Sequence, residues 1–226
     1  MSRWWLPGMW KAGGETNDFN GRVALHHAIV ADDVAYGAWR NGGLTVLDVS
    51  DKSRPRLLAH RNWCPPYGGN THRALPLPDR NLLIVDDEAS ADISEEPTKH
   101  VWVFDVRVKT NPISIATVPV PSDQDYKKKG GQFGPHNLWE NRSAGFVTPE
   151  YVFATYQSGG LRIFDIRNPN RPEEVAYFVP PPPAGWFDPR TNIKKVLHSV
   201  DVWVEPDGLI YLTDYNAGLY VLQWET

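Results

Sequence analysis

The sequence predicts an all-β chain folded as a β-propeller of about four blades, and three observations carry that expectation. One run of residues recurs four times: GGLTVLDVSDKSRPRLLA from Gly42, HVWVFDVRVKTNPISIA from His100, GGLRIFDIRNPNRPEEVA from Gly159 and AGLYVLQWET from Ala217. The anchors Asp48, Asp105, Asp165 and Gln223 are 57, 60 and 58 residues apart, a blade-sized period once loop insertions are included. Twenty prolines and eighteen glycines demand many turns and argue against long helices.

Residues 1–23 read as an N-terminal extension able to donate a ring-closing strand, and residues 24–226 as propeller repeats at about 24–62, 70–118, 134–179 and 196–226. The first repeat displays its strands in order. Strand A covers residues 25–30, and Asp32-Asp33 turns the chain into strand B at 34–39. Asn41-Gly42-Gly43 supplies the positive φ of a tight hairpin before strand C at 44–49. Strand D follows Pro55. Pro55, Pro112 and Pro172 each stand seven residues after the repeat Asp, and proline suits the start of an outer strand, where a missing backbone donor does least harm. The fourth repeat stops after its strand C at 219–224. That favours an incomplete ring, finished by another chain or by further sequence, over a tight four-bladed one. Three insertions interrupt the pattern: an acidic loop at 89–98, the KKKGGQFG region within 122–134, and a proline run at 180–183 leading into GWFDPRTNIKK.

Composition narrows the function classes. Ten Trp, nine Tyr and eight Phe supply ample core bulk. A net charge of −4 without a basic run speaks against a nucleic-acid partner. The single cysteine, Cys64, rules out an intramolecular disulfide and fits a reducing compartment. No apolar run approaches the ~20 residues of a membrane-spanning helix, and the first residues lack the apolar core of a signal peptide. The expectation is a cytoplasmic chain with no membrane partner.

Seven histidines are present, and four fall in register. His26, His72 and His136 stand at the start of the innermost strand of successive repeats. His198 aligns two positions upstream, which keeps it on the same strand face. Innermost strands line a propeller's central channel, so the four imidazoles are expected to converge there as ligands of a divalent transition metal. Iron is favoured, with copper, manganese and zinc as alternatives. The bland reading has each imidazole bonding backbone groups at a strand entry. His27 points the other way on this reading, although a one-residue register error would exchange it with His26.

A second set of polar residues follows strand B at equivalent positions: Arg40, Glu88, Gln157 and Asn216. Trp39, Asp87, Tyr156 and Tyr215 sit beside them. Glu88 is a candidate base or orienting group, and Arg40 a candidate partner for an anionic substrate. Gln157 and Asn216 would orient substrate, with Trp39, Tyr156 and Tyr215 as apolar walls. Turn residues facing water are the competing reading of the whole set. His60 and His100 fall on outer or middle strands. No Gly-x-Ser-x-Gly, phosphate-binding glycine loop, HExxH or paired-cysteine zinc motif occurs.

The pattern GGLxxxDxSxxxxPxLL, carried by residues 42–58, 159–176 and 217–223, resembles the LVIVD-repeat β-propeller family, in particular the C-terminal half of longer members. The axial-histidine plan is similar to that of carotenoid cleavage oxygenases, which hold Fe(II) with four histidines, and of selenium-binding-protein-type thiol oxidases, which hold copper. By that resemblance His26, His72, His136 and His198 are the ligands. The expected function is a metal-dependent oxidoreductase acting on a small organic substrate. The alternatives are a non-catalytic propeller that binds a protein or ligand, and a metal-assisted lyase or hydrolase. A homo-oligomer completing the ring is the expected assembly.

Overall fold

The computed structural model describes residues 2–9, 14–15, 21–90, 96–189 and 194–225. Residues 91–95 of the acidic loop, 190–193 of the segment after the proline run, and 10–13 and 16–20 of the N-terminal extension lie outside the described residues.

Fifteen strands form four antiparallel blades among the described residues. The first blade is β1 (Val23–Ala31), β2 (Val34–Arg40), β3 (Leu44–Asp48) and β4 (Arg56–Arg61). The second is β5 (Thr71–Leu77), β6 (Leu82–Asp87), β7 (Val101–Asp105) and β8 (Ile113–Thr117). The third is β9 (Pro135–Leu138), β10 (Tyr151–Tyr156), β11 (Gly160–Asp165) and β12 (Glu173–Phe178). The fourth holds three strands, β13 (Ser199–Val204), β14 (Leu209–Asp214) and β15 (Gly218–Gln223). One bridge, Arg40 to Thr71, joins the first two blades. The propeller class is therefore as the repeats require.

Local chemistry explains the repeat. Asp32 and Asp33 both adopt positive φ, the backbone of a tight two-residue hairpin between β1 and β2. The repeat aspartates close the turn after each third strand: Asp48, Asp105 and Asp165 accept from the backbone N–H groups of Ser50, Arg107 and Arg167. At Asp48 the Ser50 hydroxyl, then the Ser50 backbone N–H and the Arg56 guanidinium, pull the carboxyl down to about 2. Pro55, Pro112 and Pro172 immediately precede β4, β8 and β12.

Alternation along the strands gives each blade two apolar faces, which pack on the blades either side. Tyr36, Leu44 and Val46 meet Leu83, Val85 and Trp102 between the first and second blades. Ile84 and Val103 meet Val152 and Phe164 between the second and third. Phe153 and Ile163 meet Ile210 and Leu212 between the third and fourth. Four blades share three such cores among the described residues, and no core joins the fourth blade to the first: the blades form an open arc. Residues 2–6 lie on the outward face of the first blade, where Leu6 is 1% exposed and the Trp4 ring meets Trp39 edge-on at 5.7 Å.

The KKKGGQFG insertion folds into a single turn, α1 (Tyr126–Lys129), whose Asp125 side chain accepts from the backbone N–H of Lys128. Arg162, fully buried, anchors it by donating to Asp123 Oδ1 at 2.7 Å and to the Tyr126 hydroxyl. No helix among the described residues is long and apolar enough to cross a membrane.

Phe164 is fully buried in the core between the second and third blades. Replacing it with alanine is expected to cost about 3–5 kcal/mol of unfolding free energy, read from chemical denaturation midpoints.

Candidate metal centre

The inner strands β1, β5 and β9, with the residue just before β13, place four imidazoles in one continuous row. Ring centroids of His26 and His72 are 3.7 Å apart and stacked, those of His72 and His136 are 4.8 Å apart, and those of His136 and His198 are 6.4 Å apart. His26 belongs to the row. His27, on the opposite strand face, pairs with Glu140 at 2.8 Å, a carboxylate it shares with Arg73 and Arg142. Burial works against ionisation of Glu140, but Arg73 and its other cationic neighbours hold its carboxyl below the usual range.

Glu88, directly after β6, reaches into the middle of this row. Its Oε1 lies 3.5 Å from His136 Nε2 and its Oε2 lies 3.6 Å from His72 Nε2. The donor atoms of His72, Glu88 and His136 all fall within 4.8 Å of one another. The backbone aims Glu88. Arg40 and Asn70 both take left-handed φ, 54° and 68°, a conformation most side chains avoid. Asn70 accepts the Glu88 backbone N–H at 2.9 Å and returns its side-chain amide to the Glu88 carbonyl at 2.9 Å. The Arg40 guanidinium donates to Asn70 Oδ1 at 3.1 Å and to Glu88 Oε2.

Tautomers follow from the backbone partners. A carbonyl only accepts, so His136 Nδ1, 2.6 Å from the Val200 carbonyl, carries a proton, and Nε2 is the ring nitrogen turned toward Glu88. His26 Nδ1 meets the His72 carbonyl at 3.1 Å in the same way. Burial, then the neighbouring His136, His26 and Arg40, hold His72 far below the ordinary imidazole range, and it is neutral. His72 Nδ1 is buried without a hydrogen-bond partner among the described residues. Burial and Arg40 also lower His26. Separations of 3.5 and 3.6 Å are longer than ordinary hydrogen bonds. They come close to the ~3–3.4 Å between adjacent ligands of an ion with bonds of ~2.0–2.2 Å. The residues fit a divalent transition metal.

The other predicted residues divide. Asp87, beside Glu88, turns to the opposite face and accepts from both Trp63 and Trp102 indoles, while burial pushes its carboxyl up to about 6. Tyr156 is enclosed in the core between the second and third blades, and Trp39 is buried with its indole N–H on Thr45 Oγ1. Gln157 is buried, and its Oε1 has no partner among the described residues.

In the fourth blade the expected alignment shifts by one. The backbone N–H groups of Glu88, Gln157 and Tyr215 bond Asn70, Gly134 and His198 respectively, so Tyr215, not Asn216, is the equivalent of Glu88. The ends of β6, β10 and β14 at Asp87, Tyr156 and Asp214 agree. Tyr215 is exposed, with its ring 5.6 Å from His198. Asn216 is a turn residue whose Oδ1 accepts from the backbone of Phe187 and Asp188, tethering the segment after the proline run. That segment meets the KKKGGQFG insertion, where Lys194 Nζ donates to the Lys128 carbonyl at 3.5 Å. Counting back from the paired positions Gly43-Leu44 and Gly218-Leu219 would have found the shift. Asn70 was missed, although Asn after Gly-Gly is a common signal for left-handed backbone. Cys64 is free and half-buried, and burial raises its thiol despite Lys99 nearby.

Comparisons with known proteins bear on the fold. The LVIVD repeat family matches residues 29–60 and 147–178, within the first and third blades, so the chain carries LVIVD repeats there. No curated protein matches the chain. Among solved structures, the computationally designed Ika4 protein is similar over 91% of this chain and 94% of its own, at 9% identity and a TM-score of 0.54. The N-terminal domain of Nup159 aligns with 88% of this chain and 75% of its own, at 10% identity and a TM-score of 0.31. The likeness to Ika4 is one of fold alone. None of these matches supports the comparison with carotenoid cleavage oxygenases or thiol oxidases.

Asn70→Ala removes the amide that holds Glu88 and Arg40 and forces alanine into left-handed backbone, whereas Asn70→Gly removes the amide alone. The alanine variant is expected to unfold at lower denaturant than the glycine variant by about 1 kcal/mol, with both below the parent.

Proposed function

We propose that this chain is a metal-dependent β-propeller enzyme, an oxidoreductase acting on a small organic substrate, with a divalent transition metal held by His72, His136 and Glu88. The observation that carries the reading is the Glu88 carboxylate set between two imidazole nitrogens at distances longer than ordinary hydrogen bonds. Two histidines and one carboxylate with open positions are the donor set of non-haem ferrous oxygenases, which favours iron; copper, manganese and zinc accept overlapping donors. His26 and His198, at the two ends of the row, are the candidate further ligands.

When bound, the metal would supply Lewis-acid polarisation of a substrate oxygen and a position for dioxygen. The protein's own residues do the rest. Burial keeps His72 neutral, so its lone pair is available without loss of a proton. Arg40 occupies Glu88 Oε2, leaving Oε1 as the donor facing His136, and sets a cation beside the site for an anionic substrate group. Glu88 is thereby drawn toward the ligand role and away from that of general base. Substrate contact falls to Tyr215, which is exposed beside His198, whereas Gln157 is buried with its Oε1 unpartnered among the described residues. Trp39, Tyr156 and Asn216 are committed to packing and loop tethering. A metal-assisted lyase or hydrolase would use the same parts.

Elemental analysis of protein purified without an affinity tag tests the proposal. About one transition-metal ion per chain is expected, falling at least tenfold in His72→Ala/His136→Ala at unchanged circular dichroism. A well-folded protein that retains none of iron, copper, manganese or zinc after incubation with each overturns it and leaves the non-catalytic binding module.

A further inference from the structure

The third strand of each of the first three blades pairs along both edges: β3 with β4, β7 with β8 and β11 with β12. Among the described residues β15 pairs with β14 alone. The repeat positions expose a second vacancy of the same kind. Leu44 and Val46, Val101 and Val103, and Leu161 and Ile163 are the third-strand side chains that each blade presses on the next, and none is more than 3% exposed. Leu219 and Val221 hold those positions in the fourth blade and are 57% and 55% exposed. The fourth blade thus keeps the apolar face of a blade that has a neighbour.

Glycine chemistry at the same edge agrees. Gly43 and Gly160 have φ of 79° and 77°, and a side-chain carbon on either would overlap the carbonyl oxygen of the arriving fourth strand, at Arg61 and Phe178. Gly218 has the matching φ of 86°, but open space lies around it. Between β12 and β15 runs a groove of about 420 Å³ lined by Ala176, Phe178, Ile210, Leu222 and Trp224.

The complementary piece is at the other end of the arc. Residues 2–6 lie on the outward face of the first blade, where the outer strand of a preceding blade would pack. Leu6 sits over Gly42 at the rim of the β2–β3 turn, and the Ser2 hydroxyl donates to the Lys52 carbonyl at the opposite rim. That direction matches a fourth strand, whose end approaches the turn glycine and whose start lies beside the repeat Asp position.

We propose that a second copy of this chain covers the fourth blade: its residues 2–6 run as the missing outer strand along β15, and its first blade packs on Leu219, Val221 and Tyr211. A second copy is the occupant because one chain carries both halves of the joint, a blade lacking a strand and a neighbour, and a neighbour already holding a strand-like segment. Two such joints related by a two-fold axis satisfy each other, pairing the free edge of β15 and covering the Leu219 and Val221 face in both copies. The assembly is independent of the metal reading.

Light-scattering mass of the full chain at about 100 μM is expected to give twice the 25.5 kDa of one chain. Val221→Lys, at a position exposed within the chain, is expected to return the single-chain mass with unchanged circular dichroism. An equimolar mixture of Ser2→Cys and Gln223→Cys chains is expected to form a disulfide-linked pair absent from either variant alone. A single-chain mass for the parent protein, a dimer that survives Val221→Lys, or a mixture that yields no such pair each overturns the proposal.

Discussion

Sheet-on-sheet packing is the constraint from which the rest of this structure follows. Each blade is a small sheet with two apolar faces, and each face is satisfied by the neighbour's. The stacking fixes where the inner strands fall relative to one another, and that in turn brings imidazoles from residues 26, 72, 136 and 198 into one row. No local motif assembles them; they meet because Leu44, Ile84 and Phe153 are buried between blades. The same rule gives the arc its ends, since the last face of a stack has nothing to pack on unless something else supplies it.

Within the row of imidazoles stands one carboxylate, that of Glu88. Glu88 is kept there by a guanidinium on one oxygen and by a backbone pinned through Asn70. Both Arg40 and Asn70 adopt left-handed backbone to do this, and strain concentrated at two residues hydrogen-bonded to each other is characteristic of sites held in a fixed geometry. Buried carboxylates also lie at Asp86 and Asp87, but the strand alternation sends Asp87 to two indole N–H donors and away from the histidines. Of the three consecutive acids, only Glu88 has oxygens facing imidazole nitrogens.

The rim above the row is specialised by its insertions. Asn216 ties down the segment after the proline run, and that segment rests against the lysine-rich turn that Arg162 anchors from the core. Two loops from different blades are thus fixed to each other beside Tyr215 and Gln157. Length in these loops is accordingly structural as much as a spacer, because the Lys128 carbonyl of one accepts from Lys194 of the other and Asn216 holds the second in place.

The sequence by itself determined the fold class, the strand order within a blade and the recurrence of a histidine at each inner strand, but it left open which of His26 and His27 faces the row. Its repeats report local chemistry: Asp48, Asp105 and Asp165 recur because each closes a turn with its own backbone, and Pro55, Pro112 and Pro172 recur because each opens an outer strand. What lay beyond it was the meeting of residues far apart in the chain. That Glu88 stands between His72 and His136, that Tyr156 is core while Tyr215 is exposed, and that His27 belongs to Glu140 depend on which blade covers which face. Repeat positions are equivalent in the chain, but their surroundings are not: burial and pairing are set by neighbouring sheets, and only tertiary packing decides those.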